Sequence, residues 1–216
     1  QDGFSKYFQD VKNYSFSVFI FHLSTTSLYT TDILLSRYFL SPFEAGQYAA
    51  LSILGKIVYF ASSPITTAMF PIISNKFSNG EKYKNIFLLS FLLIILISIS
   101  VSGIYFLFPE LMIKLLYGKD YLSSVPLLGF FAVFLSLYSF CMVFLNYFLS
   151  VSKTKVVFVP LAAALSQICL IYFFHSSIRD IINVNILVSS LLFLILLILF
   201  FFNEKKETSV CYSSGL

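Results

Sequence analysis

The chain has 216 residues, 58% of them hydrophobic and 11% charged, with a formal net charge of +4. A soluble domain carries roughly 25% charged residues, and no soluble fold of this length could hide so much apolar surface. The basic residues are spread through the loops rather than gathered on one face, so nucleic-acid binding has no support. Apolar runs of about 20 residues, continuous rather than alternating, predict an all-α polytopic membrane bundle of six transmembrane helices and not a β-barrel.

In chain order, Phe4, Tyr7, Phe8 and Val11 recur at helical spacing within residues 1–13. They predict an amphipathic helix at the membrane interface, or a short connecting helix packed on its neighbours. The transmembrane unit then covers residues 14–202. Span one is expected from Tyr14 to Leu35, and Ser41-Pro42 closes the region after it. His22, Thr25, Tyr29, Asp32 and Ser36 follow one another at intervals of three and four, which makes one polar stripe on an otherwise apolar helix.

Span two is expected from Gln47 to Ile73, with Tyr48, Ser52, Lys56, Tyr59, Ser63 and Thr66 on one stripe. Pro64 and Pro71 remove backbone donors inside it and predict a kink or break, hence a hinge. Span three, Asn85–Phe108, is almost wholly apolar and ends at Pro109; Leu111–Tyr117 reads as a short interfacial helix stopped by Gly118. Span four, Val125–Val151, places Ser136, Ser139, Asn146 and Ser150 on one face. Span five, Val156–Phe174, carries Ser166 and Gln167, and span six, Ile181–Phe202, opens with Asn183 and Asn185. Residues 203–216 form a polar tail expected to be disordered.

Lys6, Lys12, Lys76, Lys82, Lys84, Lys153, Lys155, Lys205 and Lys206 fall on one side of these spans, against Arg37, Lys114, Lys119 and Arg179 on the other. The excess predicts that both termini are cytoplasmic. The chain opens on Gln1 with no cleavable leader, and is read as a fragment lacking an amino-terminal part.

No nucleophile elbow, paired-carboxylate site, HExxH, P-loop or GxGxxG is present. Cys141, Cys169 and Cys211 have no CxxC or His/Cys spacing, so neither a disulfide framework nor a metal or other cofactor is expected. A glycan polymerase or ligase would be expected to carry a large external loop, and the outer loops here are short. An ionisable side chain within a span normally faces a protein interior or a wet cavity. Asp32, beside the hydroxyls of its stripe, therefore reads as a group that binds a coupling cation or proton, or as one half of an ion pair with Lys56 or Arg37. Lys56 reads as a donor to an anionic head group or as a snorkelling lysine, and Arg37 as an interface anchor or a ligand contact. His22 reads as an interior hydrogen-bonding histidine or a proton relay. Asn146 and Gln167 bridge helices or line the pathway.

Asp32-Ile-Leu-Leu, Leu40-Ser-Pro-Phe-Glu-Ala-Gly46-Gln-Tyr48-Ala-Ala, Gly55-Lys56-Ile-Val, Phe70-Pro71, Leu116-Tyr-Gly118-Lys-Asp-Tyr121 and Asn146-Tyr-Phe-Leu-Ser-Val-Ser-Lys153 carry a further signal. Together they resemble the carboxyl-terminal lobe of the polysaccharide biosynthesis flippases, the O-antigen and capsule transporters of the multidrug/oligosaccharidyl-lipid/polysaccharide superfamily. The resemblance implies one lobe of a two-lobed carrier of the bacterial inner membrane, whose missing amino-terminal lobe completes a central cavity. By alternating access such a carrier flips a lipid-linked oligosaccharide on undecaprenyl diphosphate, among membrane lipids. It also implies a substrate path that includes Lys56, Arg37, Tyr48, Ser52 and Asn146. A coupling-ion site would be built on Asp32 with Thr25, Gln167 and Asn185, although spans five and six lack the second carboxylate of a well-furnished cation site. The rival readings are a multidrug/cation antiporter of the same superfamily, expected to have an acidic and aromatic cavity, and an inactive truncated fragment.

Overall fold

The computed structural model describes the backbone of residues 2–213 and the side chains of residues 11, 12 and 15–203. Its elements are α1 (Asp2–Phe39), α2 (Pro42–Ser78), α3 (Lys84–Leu107), α4 (Pro109–Tyr117), α5 (Val125–Ser150), α6 (Phe158–Phe173) and α7 (Ile178–Ser213). Short 3-10 turns over Lys119–Ser124 and Thr154–Val157 lead into α5 and α6, and no strand occurs among the described residues. All of these helices except α4 include a stretch long and apolar enough to cross a membrane, six in total. The expected interfacial segment at Gly3–Val11 runs without a break into span one; its side chains up to residue 10 lie outside the described residues. The polar segment from Asn203, expected to be disordered, continues α7 as helix to Ser213, while residues 214–216 lie outside the described residues.

The turn between α1 and α2 is set by local chemistry. Ser41 caps α2: its hydroxyl accepts from the Glu44 backbone N–H at 3.3 Å, and the Glu44 carboxylate accepts from the Ser41 N–H at 3.2 Å. With Pro42 at the first helical position, this reciprocal pair fixes where the second span begins. Inside α2 the expected break is absent, and the helix runs unbroken through Pro64 and Pro71. Pro64 has no N–H to give the Phe60 carbonyl, and the Ser63 hydroxyl donates to that oxygen instead, at 3.2 Å.

The core lies around α5, which is buried along most of its length and packs on α2, α3 and α7, while α1 packs chiefly on α6. Phe87 of α3, Phe144 and Tyr147 of α5 and Phe200 of α7 form an aromatic knot with ring centroids 4.5 to 5.5 Å apart. Edge-to-face and offset arrangements of this kind add about 0.5–1.5 kcal/mol per pair beyond burial. The outside is as apolar as the inside: Leu34, Ile99 and Phe202 are each exposed by about two thirds or more. A helical body that turns such residues outward is shaped for lipid.

Gly55 of α2 leaves room for the Phe131 ring of α5, since a Cβ there would run into Cδ1 of Phe131. Gly→Ala in a helix ordinarily stabilises by about 0.8–1 kcal/mol. Here overpacking reverses the sign, and Gly55→Ala is expected to destabilise by about 1–3 kcal/mol. Gly46→Ala, where the nearest atom is the Tyr121 hydroxyl at 3.9 Å, serves as the control and should not lower stability. Thermal unfolding of the purified protein in detergent measures both.

Candidate functional site

The polar stripe of α1 divides between two environments. Its second half is sealed. Asp32 is 0% exposed, and its Oδ2 accepts from the Tyr48 hydroxyl of α2 at 2.5 Å and from Nδ2 of Asn185, on α7, at 3.1 Å. The same Asn185 amide donates to the Tyr48 oxygen at 2.9 Å, and Oδ1 of Asp32 accepts from the Ile33 N–H at 2.9 Å. Gln167 of α6 closes the chain of contacts, its Nε2 donating to Oδ1 of Asn185 at 2.7 Å and to the Leu28 carbonyl of α1 at 3.0 Å. Three helices thus meet on one carboxyl group, and the fourth, α6, joins them through Asn185. A buried carboxyl without such partners would cost several kcal/mol, so the phenol and the amides are what make its position tolerable. Oε1 of Gln167 is buried with no hydrogen-bond partner, leaving one acceptor of the network open.

The first half of the stripe faces a hollow of about 240 Å³ between α1, α2 and α5. From α1 it is lined by His22, Thr25, Thr26 and Tyr29; from α2 by Tyr59, Ser62, Ser63, Thr66 and Thr67; from α5 by Tyr138, Ser139, Met142 and Asn146. Among the described residues none of its walls carries Asp, Glu, Lys or Arg. Phe21, His22, Thr67 and Asn146 also border a more apolar recess of about 400 Å³ that reaches Val18, Phe70 and Leu149. At the opposite, inner end Tyr29, Tyr59 and Tyr138 pack together with ring centroids 5.2 to 5.4 Å apart. The Tyr138 hydroxyl donates to the Thr25 carbonyl at 2.9 Å and holds α5 against α1 there.

The other residues singled out from the sequence are dispersed. Lys56 is half-buried, with its Nζ 5.3 Å from the centre of the Tyr29 ring, a cation–π contact at the inner end of the hollow, and it makes no ion pair with Asp32. Arg37 is exposed in the last turn of α1, where a cation meets the negative end of the helix dipole, and it likewise makes no ion pair with Asp32. Tyr48 belongs to the carboxyl network rather than to the hollow. Ser52 is buried apart from the hollow with its hydroxyl unpartnered. Thr25 and Asn146 line the hollow, and Thr25 makes no hydrogen bond to Asp32. Pro64 and Pro71 are exposed on α2.

Sequence reasoning passed over Tyr138, Met142, Ser62 and Thr67 as walls of the hollow. Tyr138, Met142 and Asn146 are four residues apart in succession, so the helical period that singled out Asn146 carries the other two as well. Ser62 and Thr67 each sit one position from a residue of the α2 stripe, and only the width of the gap between α1 and α2 brings them into reach.

No curated protein sequence and no solved structure gives a significant match to the chain. The sequence model of one family, described as polysaccharide biosynthesis protein, matches residues 3–126. That stretch is more than half of the chain and runs from α1 into the first turn of α5, so it includes Asp32, Tyr48, Lys56 and two of the three walls of the hollow. The chain therefore belongs to the polysaccharide biosynthesis protein family.

Proposed function

We propose that the chain is the transport lobe of a flippase that moves a lipid-linked oligosaccharide, carried on undecaprenyl diphosphate, across the bacterial inner membrane by alternating access. The observation that supports this reading most is the hollow of α1, α2 and α5, whose hydroxyl, amide and phenol groups suit a polyhydroxylated guest. A second lobe would form the opposite wall, the lipid tail would stay in the bilayer, and both ends of the chain would face the cytoplasm. Lys56 at the inner end and Arg37 near the surface are the cations for the diphosphate, met one after the other rather than together. Asp32, held with Tyr48, Asn185 and Gln167, is the coupling group: a proton or cation arriving there would exchange partners with the phenol and amides that tie α1 to α2, α6 and α7. A multidrug/cation antiporter would want its acid in the hollow; here the carboxyl lies off it and the walls carry none among the described residues.

The direct test is movement of a fluorescent undecaprenyl-diphosphate oligosaccharide between leaflets of proteoliposomes; absence of protein-dependent movement overturns the proposal. In the same assay Lys56→Gln is expected to slow flipping roughly ten- to hundredfold, the loss of a charge-assisted contact of about 1.5–3 kcal/mol. Unchanged flipping at equal protein content would remove Lys56 from the substrate path. Asp32→Asn is expected to leave residual flipping that no longer responds to an imposed proton or sodium gradient, and a response equal to wild type would reject the coupling role.

A further inference from the structure

Several polar groups of the hollow already donate to the backbone of their own helices. Ser62, Ser63 and Thr67 donate their hydroxyl protons to Val58, Phe60 and Ser63 carbonyls at 2.9, 3.2 and 2.9 Å. Across the gap, Ser139 donates to the Leu135 carbonyl at 2.8 Å and the Asn146 Nδ2 to the Met142 carbonyl at 2.8 Å. What these groups keep for a guest is lone pairs on hydroxyl oxygens and, on Asn146, Oδ1 and the second amide N–H. An ionised phosphate has only acceptors and carries charge, and it would find no Lys or Arg on these walls among the described residues. A sugar hydroxyl brings its own proton.

The inner end adds a surface for the ring itself. Tyr29 and Tyr59 are both partly exposed, with centroids 5.4 Å apart, and both are backed by the buried Tyr138. Neither the Tyr29 nor the Tyr59 hydroxyl has a hydrogen-bond partner among the described residues, so these two phenols can still turn to a guest. An aromatic face is electron-rich, and the C–H bonds along one face of a pyranose present weak positive charge to it. We infer that the hollow is a subsite for an uncharged pyranose unit, stacked on Tyr29 or Tyr59 and donating its hydroxyls to the α2 and α5 walls, and that the diphosphate is held outside it. The inference rests on the transport reading above for its place in a substrate, but concerns binding alone.

Saturation-transfer NMR on the full chain in lipid nanodiscs tests it, with methyl α-glucoside and methyl N-acetyl-glucosaminide as probes and empty nanodiscs as the blank. The ring C–H protons should be the most strongly saturated, and excess inorganic pyrophosphate should leave the signal in place. Tyr29→Ala and Tyr59→Ala should weaken binding roughly two- to tenfold, the worth of about one stacked face, while Tyr29→Phe and Tyr59→Phe keep it. If the alanine variants fail to fold, Asn146→Leu decides, because losing one acceptor should weaken binding roughly two- to tenfold. No signal from either glycoside, displacement by pyrophosphate, or binding indifferent to Tyr29, Tyr59 and Asn146 overturns the inference. Intact glycoside binding with no flipping removes the transport reading alone; flipping with no glycoside binding removes the subsite alone.

Discussion

The fold depends on one buried carboxyl group. Asp32 stands where α1, α2 and α7 converge, with α6 joined through Gln167 and Asn185, and each of these helices has a side chain within hydrogen-bond reach of the next. Lipid offers no hydrophobic drive for helices to associate, so directional contacts of this kind decide which helices are neighbours and in what register. Tyr48 both donates to the carboxyl and accepts from Asn185, which makes the pairing of α1 with α2 conditional on α7 being in place. Deleting one member would strand the others in a region without water, which costs more than the bonds themselves are worth.

The same stripe of α1 serves two ends because α2 leans against only part of it. Near the Ser41 cap the two helices are close enough for Asp32 to reach Tyr48; beyond Tyr29 and Tyr59 they stand apart and leave the hollow. The carboxyl group lies on the tight side, and His22, Thr25 and Tyr29 on the open side. Whatever enters the hollow meets aromatic faces and oxygen lone pairs, one helical turn from a carboxyl group it does not touch.

Much of this was legible in the sequence. Six spans followed from run length and hydropathy, which are local properties of the chain; α2 starts at Pro42, ahead of the expected Gln47, because the equally local Ser41–Glu44 cap was passed over. The helical period also placed His22, Thr25, Tyr29, Tyr59, Ser63 and Thr66 on stripes that do line the hollow. What the period cannot carry is partnership between helices. Asp32 and Asn185 are 153 positions apart, and nothing in either segment says that a carboxyl group will be met by an amide and a phenol rather than by Lys56 or Arg37. The break that was one of the two outcomes expected of Pro64 does not occur, and there the Ser63 hydroxyl does for the Phe60 carbonyl what the backbone at Pro64 cannot, a neighbour's contribution that a local rule about proline leaves out.

The length of α2 has a mechanical consequence. At 37 residues it is about 55 Å long, nearly twice the roughly 30 Å of hydrocarbon it needs to cross. One end is pinned by the Ser41 cap and by Tyr48, and Gly55 lies flush against Phe131, so the fulcrum is near the first third of the rod. A tilt of about 10° there would swing the far tip at Ser78 by roughly 6 Å, against roughly 2 Å at Tyr48. Small rearrangements among buried groups would in this way be magnified along the far part of α2, where Thr67 and Phe70 border the apolar recess.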